Sequence, residues 1–183
     1  MNNRALVTTA LLVAVGVVLV LLWTIPPFNF LSIGWMLGAP WLQFNPGDIP
    51  TLLGSFALGP AFGGIIALVR AAISNFIAGS GGPIGFIMDA SASFVLAVVA
   101  GFIYHFKRTR TGAILALCGG TIAMTIASFL LNYFWAYPAF GLPAELALAT
   151  AVPFNLIKGL INCVVVYVLY KRLSPILHGR TDK

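Results

Sequence analysis

A bundle of six transmembrane helices, the second of them short, is the fold class this sequence predicts: an all-α integral membrane protein forming a single domain over residues 1–183. Three observations predict it. The 183 residues are 60% hydrophobic and only 8% charged, where a soluble domain would carry about a quarter charged residues. Uncharged runs long enough to cross a bilayer recur along the chain, each needing roughly 18 or more apolar residues. The breaks between them are turn-forming clusters such as "GP" at 59–60 and "GSGGP" at 79–83.

The first segment covers about 4–25. It is too long for the apolar region of a signal peptide and lacks a small-residue cleavage site, so it reads as a retained helix. A loop, "PPFNFLSIGWMLGAPWLQFNPG", follows at 26–47. The second segment runs from Asp48, a candidate N-cap, to about Gly59, with Pro50 in the first turn where its missing N–H costs little. At about 1.5 Å per residue it is too short to cross alone, so its ends need protein partners inside the bundle. Segments three to six cover about 61–79, 84–105, 112–136 and 146–170.

Charge sets the expected orientation. Arg4, Lys107, Arg108, Arg110, Lys171, Arg172, Arg180 and Lys183 all fall at one end of such a bundle, and the loops at 26–47, 79–83 and 137–145 contain no Lys or Arg. The positive-inside rule then places both termini in the cytoplasm of a multi-pass cell-membrane protein. The same distribution accounts for the net charge of +6 without nucleic acid as a partner. Cys118 and Cys163 lie in apolar segments, which argues against a disulfide framework, and His105 and His178 lie beside basic clusters, away from any metal-ligand pattern.

Two cations remain within the membrane. Lys158, in "PFNLIKG", is about 12 residues from either end of its segment, too deep to reach water along its own stem. A charge at such depth marks a functional path or a buried ion pair, for which Asp89 is a candidate partner. Asn155 and Asn162 share the Lys158 face by their spacing. Asn132 and Asp89 lie at corresponding depth in the outer half. Aromatic residues crowd the same end: Phe129, Tyr133, Phe134, Trp135 and Tyr137 on segment five, and Phe28, Phe30, Trp35, Trp41 and Phe44 in the long loop. An interfacial belt explains part of this set, and a pocket for a flat heteroaromatic ligand explains the rest. Arg70 is expected to pair with Asp48 or with carbonyls of the short second segment.

Several function classes lack their residues. There is no G-x-x-x-x-G-K-[ST] phosphate loop, no H-E-x-x-H and no G-x-S-x-G. Neither an enzyme nor a self-powered pump is expected, and no cofactor or metal is called for. Ala10 and Ala14 give small-xxx-small spacing on the first segment, with Gly16 nearby, which permits close helix approach.

Four stretches together resemble one family: "FNPGDIPTLLGSFALGPAFGGIIALVRAAISNF" at 44–76, "GGPIGF" at 81–86, "LLNYFWAYP" at 130–138 and "VPFNLIKGL" at 152–160. The chain is similar to the substrate-binding S components of energy-coupling factor (ECF) vitamin transporters, and most like their riboflavin-specific members. The resemblance implies a six-helix bundle that captures riboflavin from outside and associates with a transmembrane coupling subunit and two ATPase subunits. It implies flavin contacts at Asn132 and Lys158 and docking of the coupling subunit at Ala10 and Ala14; by their own depth and spacing Asn155, Asp89, Tyr133 and Phe44 are expected as further lining. Two departures stand out. Of the family's aspartate-x-serine-aspartate-x-proline pattern only Asp48 and Pro50 hold, and Asp89 replaces an asparagine. Another vitamin, or a self-sufficient facilitator, are the competing readings.

Overall fold

The computed structural model describes residues 3–25, 34, 38–39, 42–78 and 82–177, with side chains up to residue 170. Six main helices follow in order: α1 (Asn3–Thr24), α2 (Asp48–Leu58), α3 (Pro60–Ala78), α4 (Gly82–Phe106), α5 (Arg110–Leu131) and α6 (Leu146–Leu177). No strand occurs among the described residues. Five of the helical stretches are long and apolar enough to cross a membrane, and α2 is the exception. Phe28, Phe30, Trp35, Trp41, His178, Arg180 and Lys183, and the side chains of Lys171 and Arg172, lie outside the described residues.

α2 is a half-span. Its first residue, Asp48, meets Arg70, Ser93 and Lys158 near the middles of α3, α4 and α6, and its far end meets Tyr104 near the end of α4. The segment before it, residues 42–47, therefore reaches mid-depth before the helix starts. Most of α2 is buried, including Pro50, Thr51, Leu52, Gly54, Ser55 and Phe56, which is how a helix too short for the bilayer keeps its ends among protein groups. Asp48 is the first helical residue and Gly47 is the N-cap. This corrects the expected N-cap, because the Asp48 carboxylate is turned toward cationic partners and has none of the helix's own N–H groups. Gly59, at φ 104°, makes the turn into α3 that a side chain would strain.

Lipid supplies no hydrophobic drive between helices, so association rests on close packing. Small residues provide it. A Cβ on Gly159 of α6 would sit 2.2 Å from Thr121 Cγ2 of α5, and one on Gly120 would sit 2.9 Å from the Ala100 Cβ of α4. Toward the end carrying the chain termini, a packed apolar core joins Leu52, Phe56, Leu117, Val166 and Tyr170. Phe56 stacks on Tyr104 at 4.4 Å, and the Tyr104 and Tyr170 hydroxyls hydrogen-bond each other.

α5 does not run as one regular helix to 136. After Leu131 it continues as a π-helical stretch, Asn132–Ala136, and a last turn, Tyr137–Ala139. Pro138 supplies the reason, since its ring and missing N–H disturb the preceding turn. α6 passes the expected end at 170 and continues to Leu177. The apolar pattern stops there, but the backbone does not.

Candidate functional site

Site geometry begins at Asp48, which is fully buried. Lys158 Nζ is 2.8 Å from Asp48 Oδ2, and Arg70 Nη2 is 3.5 Å from Asp48 Oδ1. Ser93 donates to Asp48 Oδ1 and accepts from Arg70 Nη2 at 2.6 Å. Asn162 Nδ2 donates to Asp48 Oδ2 at 3.4 Å. Arg70 also reaches Asp89, with Nη1 at 3.2 Å from Oδ2. Asp89 in turn accepts from Asn45 Nδ2 at 2.7 Å and from Asn75 Nδ2 at 3.4 Å. Two carboxylates thus face two cations at mid-depth. Such a cluster avoids the penalty of an isolated charge in a low-dielectric interior.

Asp89 is the candidate partner for the ion-pair alternative at Lys158, and the structure pairs Lys158 with Asp48 instead. Asp89 is instead held by Arg70, so the two acids divide the two deep cations with Arg70 bridging both. The expected Arg70–Asp48 contact is present. Room for the Arg70 stem comes from glycines on two neighbouring elements. A Cβ on Gly47 would sit 2.6 Å, and one on Gly16 2.9 Å, from Arg70 Cδ. Gly16 thus faces the bundle interior, whereas Ala10 and Ala14 of α1 are exposed with Leu11 and Val15.

Above this cluster, toward the end of α3, the start of α4 and the 137–145 connection, opens a cavity of about 280 Å³. Asn132, Asn155, Lys158, Asp89 and Phe44 all line it. The structure therefore brings together five of the six residues the sequence singled out for a ligand. Tyr133 is the sixth, and it does not line the cavity. It packs against Phe129 at 5.6 Å and Phe134 at 5.0 Å. Tyr137 takes the position instead, because the π-helical stretch re-aims it. In a regular α-helix a residue five places on lies about 140° round the axis. Here Tyr137 N bonds to the Asn132 carbonyl, which stacks the two residues along one side. The Tyr137 hydroxyl is fixed by Thr150 Oγ1 at 2.7 Å.

Side-chain amides are oriented by their own helices. Asn132 Nδ2 donates to the Ser128 carbonyl at 2.7 Å, and Asn155 Nδ2 to the Ala151 carbonyl at 2.8 Å. The Asn132 and Asn155 carbonyl oxygens remain as acceptors, and Lys158 as a donor. Aromatic surface comes from Trp23, Phe44, Tyr137, Phe140 and Phe154. Trp23 and Phe44 meet edge to face at 5.2 Å, tying the end of α1 to the segment before α2. Sequence reasoning missed Trp23, Phe154 and the serines Ser74 and Ser128 of this lining. The serines carried a usable signal, since Ser128 precedes Asn132 by one helical turn and Ser74 follows Arg70 by one.

Comparison with known proteins gives concordant results. The family described as "ECF transporter, substrate-specific component" matches residues 4–170. The chain is similar to the riboflavin transporter RibU of Staphylococcus aureus (strain TCH60), with 35% identity over 96% of this chain and 93% of that protein. It is 29% identical to the riboflavin transporter FmnP of Bacillus subtilis (strain 168), over 96% of this chain and 94% of that protein. A solved S component of a bacterial ECF transporter superposes with a TM-score of 0.79 at 33% identity, covering 98% of this chain and 100% of that one. The chain belongs to the substrate-specific S components of ECF transporters, multi-pass membrane proteins that work with the other components of such a transporter.

Proposed function

We propose that this S component binds riboflavin in the loop-end cavity and delivers it for uptake driven by its ATPase partners. The observation that carries the reading is the lining itself. Amide and ammonium groups of Asn132, Asn155 and Lys158 share one cavity with the rings of Trp23, Phe44, Tyr137 and Phe154. A flavin presents a flat tricyclic surface and a pyrimidine edge with two carbonyl acceptors and one N–H donor. Rings suit the first, and a donor–acceptor set suits the second. The similarity to riboflavin transporters supports the same substrate.

Asp89, the departure from the family pattern, does not argue for a different vitamin. Its charge is matched by Arg70 and its oxygens accept from Asn45 and Asn75, so the cavity gains no unpaired anion. A self-sufficient facilitator would need a polar path through the bundle. Beyond Asn162 the packed core of Leu52, Leu117, Val166 and Tyr170 interrupts any such path. The chain itself performs no chemistry in this reading.

In this reading the termini face the cytoplasm, a placement the one-sided cations of the sequence support, and the cavity opens outward. Ala10 and Ala14, exposed on α1, form the contact for the transmembrane coupling subunit. Protein purified from flavin-containing cells is expected to be yellow, with the copurifying molecule identified as riboflavin by mass spectrometry. Colourless protein carrying a different vitamin would discard the substrate and keep the transporter class.

A further inference from the structure

A hydroxyl inside a membrane bundle has no bulk water to turn to, so it must find an acceptor in the protein. The buried hydroxyls here mostly do. Thr9, Thr125 and Thr150 donate to the carbonyl four residues earlier at 2.8, 2.8 and 2.7 Å. Thr51 does the same at 2.9 Å. Ser55 donates across to the Ala97 carbonyl at 2.6 Å, and Ser93 to Asp48. Two serines break this pattern. Ser74 Oγ and Ser128 Oγ have no hydrogen-bond partner, although the residues are only 1% and 2% exposed. Both line the loop-end cavity.

That coincidence separates them from other unpaired atoms. Asn162 Oδ1 also lacks a partner, but Asn162 does not line the cavity. Ser74 and Ser128 sit on helices that offer each the same backward carbonyl the threonines use. Leaving a buried hydroxyl unpaired is unfavourable, and it is tolerated where a bound molecule completes the bond. The geometry points to Ser74 and Ser128 as ligand-contact residues, two hydroxyls on α3 and α5 that hydrogen-bond polar groups of the bound vitamin. The assignment rests on the riboflavin reading and extends the site beyond Asn132, Asn155 and Lys158. It also gives α3, which otherwise contributes only Asn75 to the lining, a direct share in recognition. A hydroxyl both donates and accepts, so each serine suits the hydroxyls of a sugar-alcohol chain as well as a carbonyl of the ring.

Riboflavin titration of purified wild type, Ser74→Ala and Ser128→Ala, with thermal melting of the ligand-free proteins, tests this. Each substitution is expected to weaken binding about 3- to 10-fold. The ligand-free melting temperature should hold or rise, because alanine removes an unsatisfied group. Ser55→Ala is the control: it removes a satisfied bond at the other end of the bundle, so it should lower melting and leave affinity unchanged. Wild type that binds riboflavin while both cavity variants bind it equally well would overturn the assignment. So would a fall in ligand-free melting like that of Ser55→Ala, which would mean a structural role. Wild type that binds no riboflavin would instead overturn the functional reading itself.

Discussion

The two ends of this bundle are built on opposite principles. At the end carrying the termini, Phe56, Tyr104 and Tyr170 interlock, and Leu52, Leu117 and Val166 fill the space between helices. At the other end the same helices part around a cavity lined by amides, hydroxyls and rings. Between them lies the Asp48–Arg70–Lys158–Asp89 cluster, where α2 begins. The difference teaches what a substrate-capturing subunit needs. One end must present unfilled hydrogen-bonding capacity, and the other must be closed. The half-length of α2 makes the division possible. Starting at mid-depth, it fills the terminal end and leaves the loop end open.

The strongest way to break this division is at its boundary. Asp48→Asn removes the buried anion shared by Lys158 and Arg70, leaving two cations against Asp89 alone. Stability should fall by about 3–5 kcal/mol, the usual cost of breaking a buried ion pair from one side. Thermal melting in detergent measures it, and an unchanged melting temperature would remove the cluster from the account. Leu117→Ala probes the closed end by itself. It should cost about 2 kcal/mol of stability through lost packing while leaving the riboflavin affinity of the folded protein unchanged. A large affinity loss there would mean that the two ends are not separable.

Lys158→Met probes the open end. It keeps the bulk and removes the ammonium, so riboflavin binding should weaken by about 1.5–3 kcal/mol, roughly 10- to 150-fold. Unchanged affinity in equilibrium titration would assign Lys158 to the ion cluster alone. The smallest expected effect on the isolated chain belongs to Ala10→Leu with Ala14→Leu. Both positions are exposed, so melting and riboflavin affinity should stay at wild-type values. Uptake by the complete transporter should fall, and unimpaired uptake would move the docking surface elsewhere.

Helix number and order were legible because apolar length is a property of composition, and turn residues such as Gly59 and Pro60 mark the breaks directly. The confinement of α2 was legible from its length. Pairing was not. Asp48 and Asp89 were both acids at plausible depth, and only the packing of α2 between α4 and α6 decides that Asp48 meets Lys158. The choice between Tyr133 and Tyr137 failed for a local reason. A regular helix was assumed through 136, whereas the distortion before Pro138 changes which ring faces the cavity. Ser74 and Ser128 escaped notice because a serine in an apolar helix normally bonds its own backbone. Their spacing from Arg70 and Asn132 marks the face they share, but only the structure shows that they leave their own backbone unbonded.

The central claim is that the open end is a riboflavin site. Titration of purified, flavin-free protein with riboflavin, followed by flavin fluorescence, tests it most directly. Stacking on Trp23, Phe44 or Tyr137 should quench the emission, saturating at one riboflavin per chain. Emission that stays at the level of free riboflavin throughout the titration, with no riboflavin retained on the protein after gel filtration, would contradict the account.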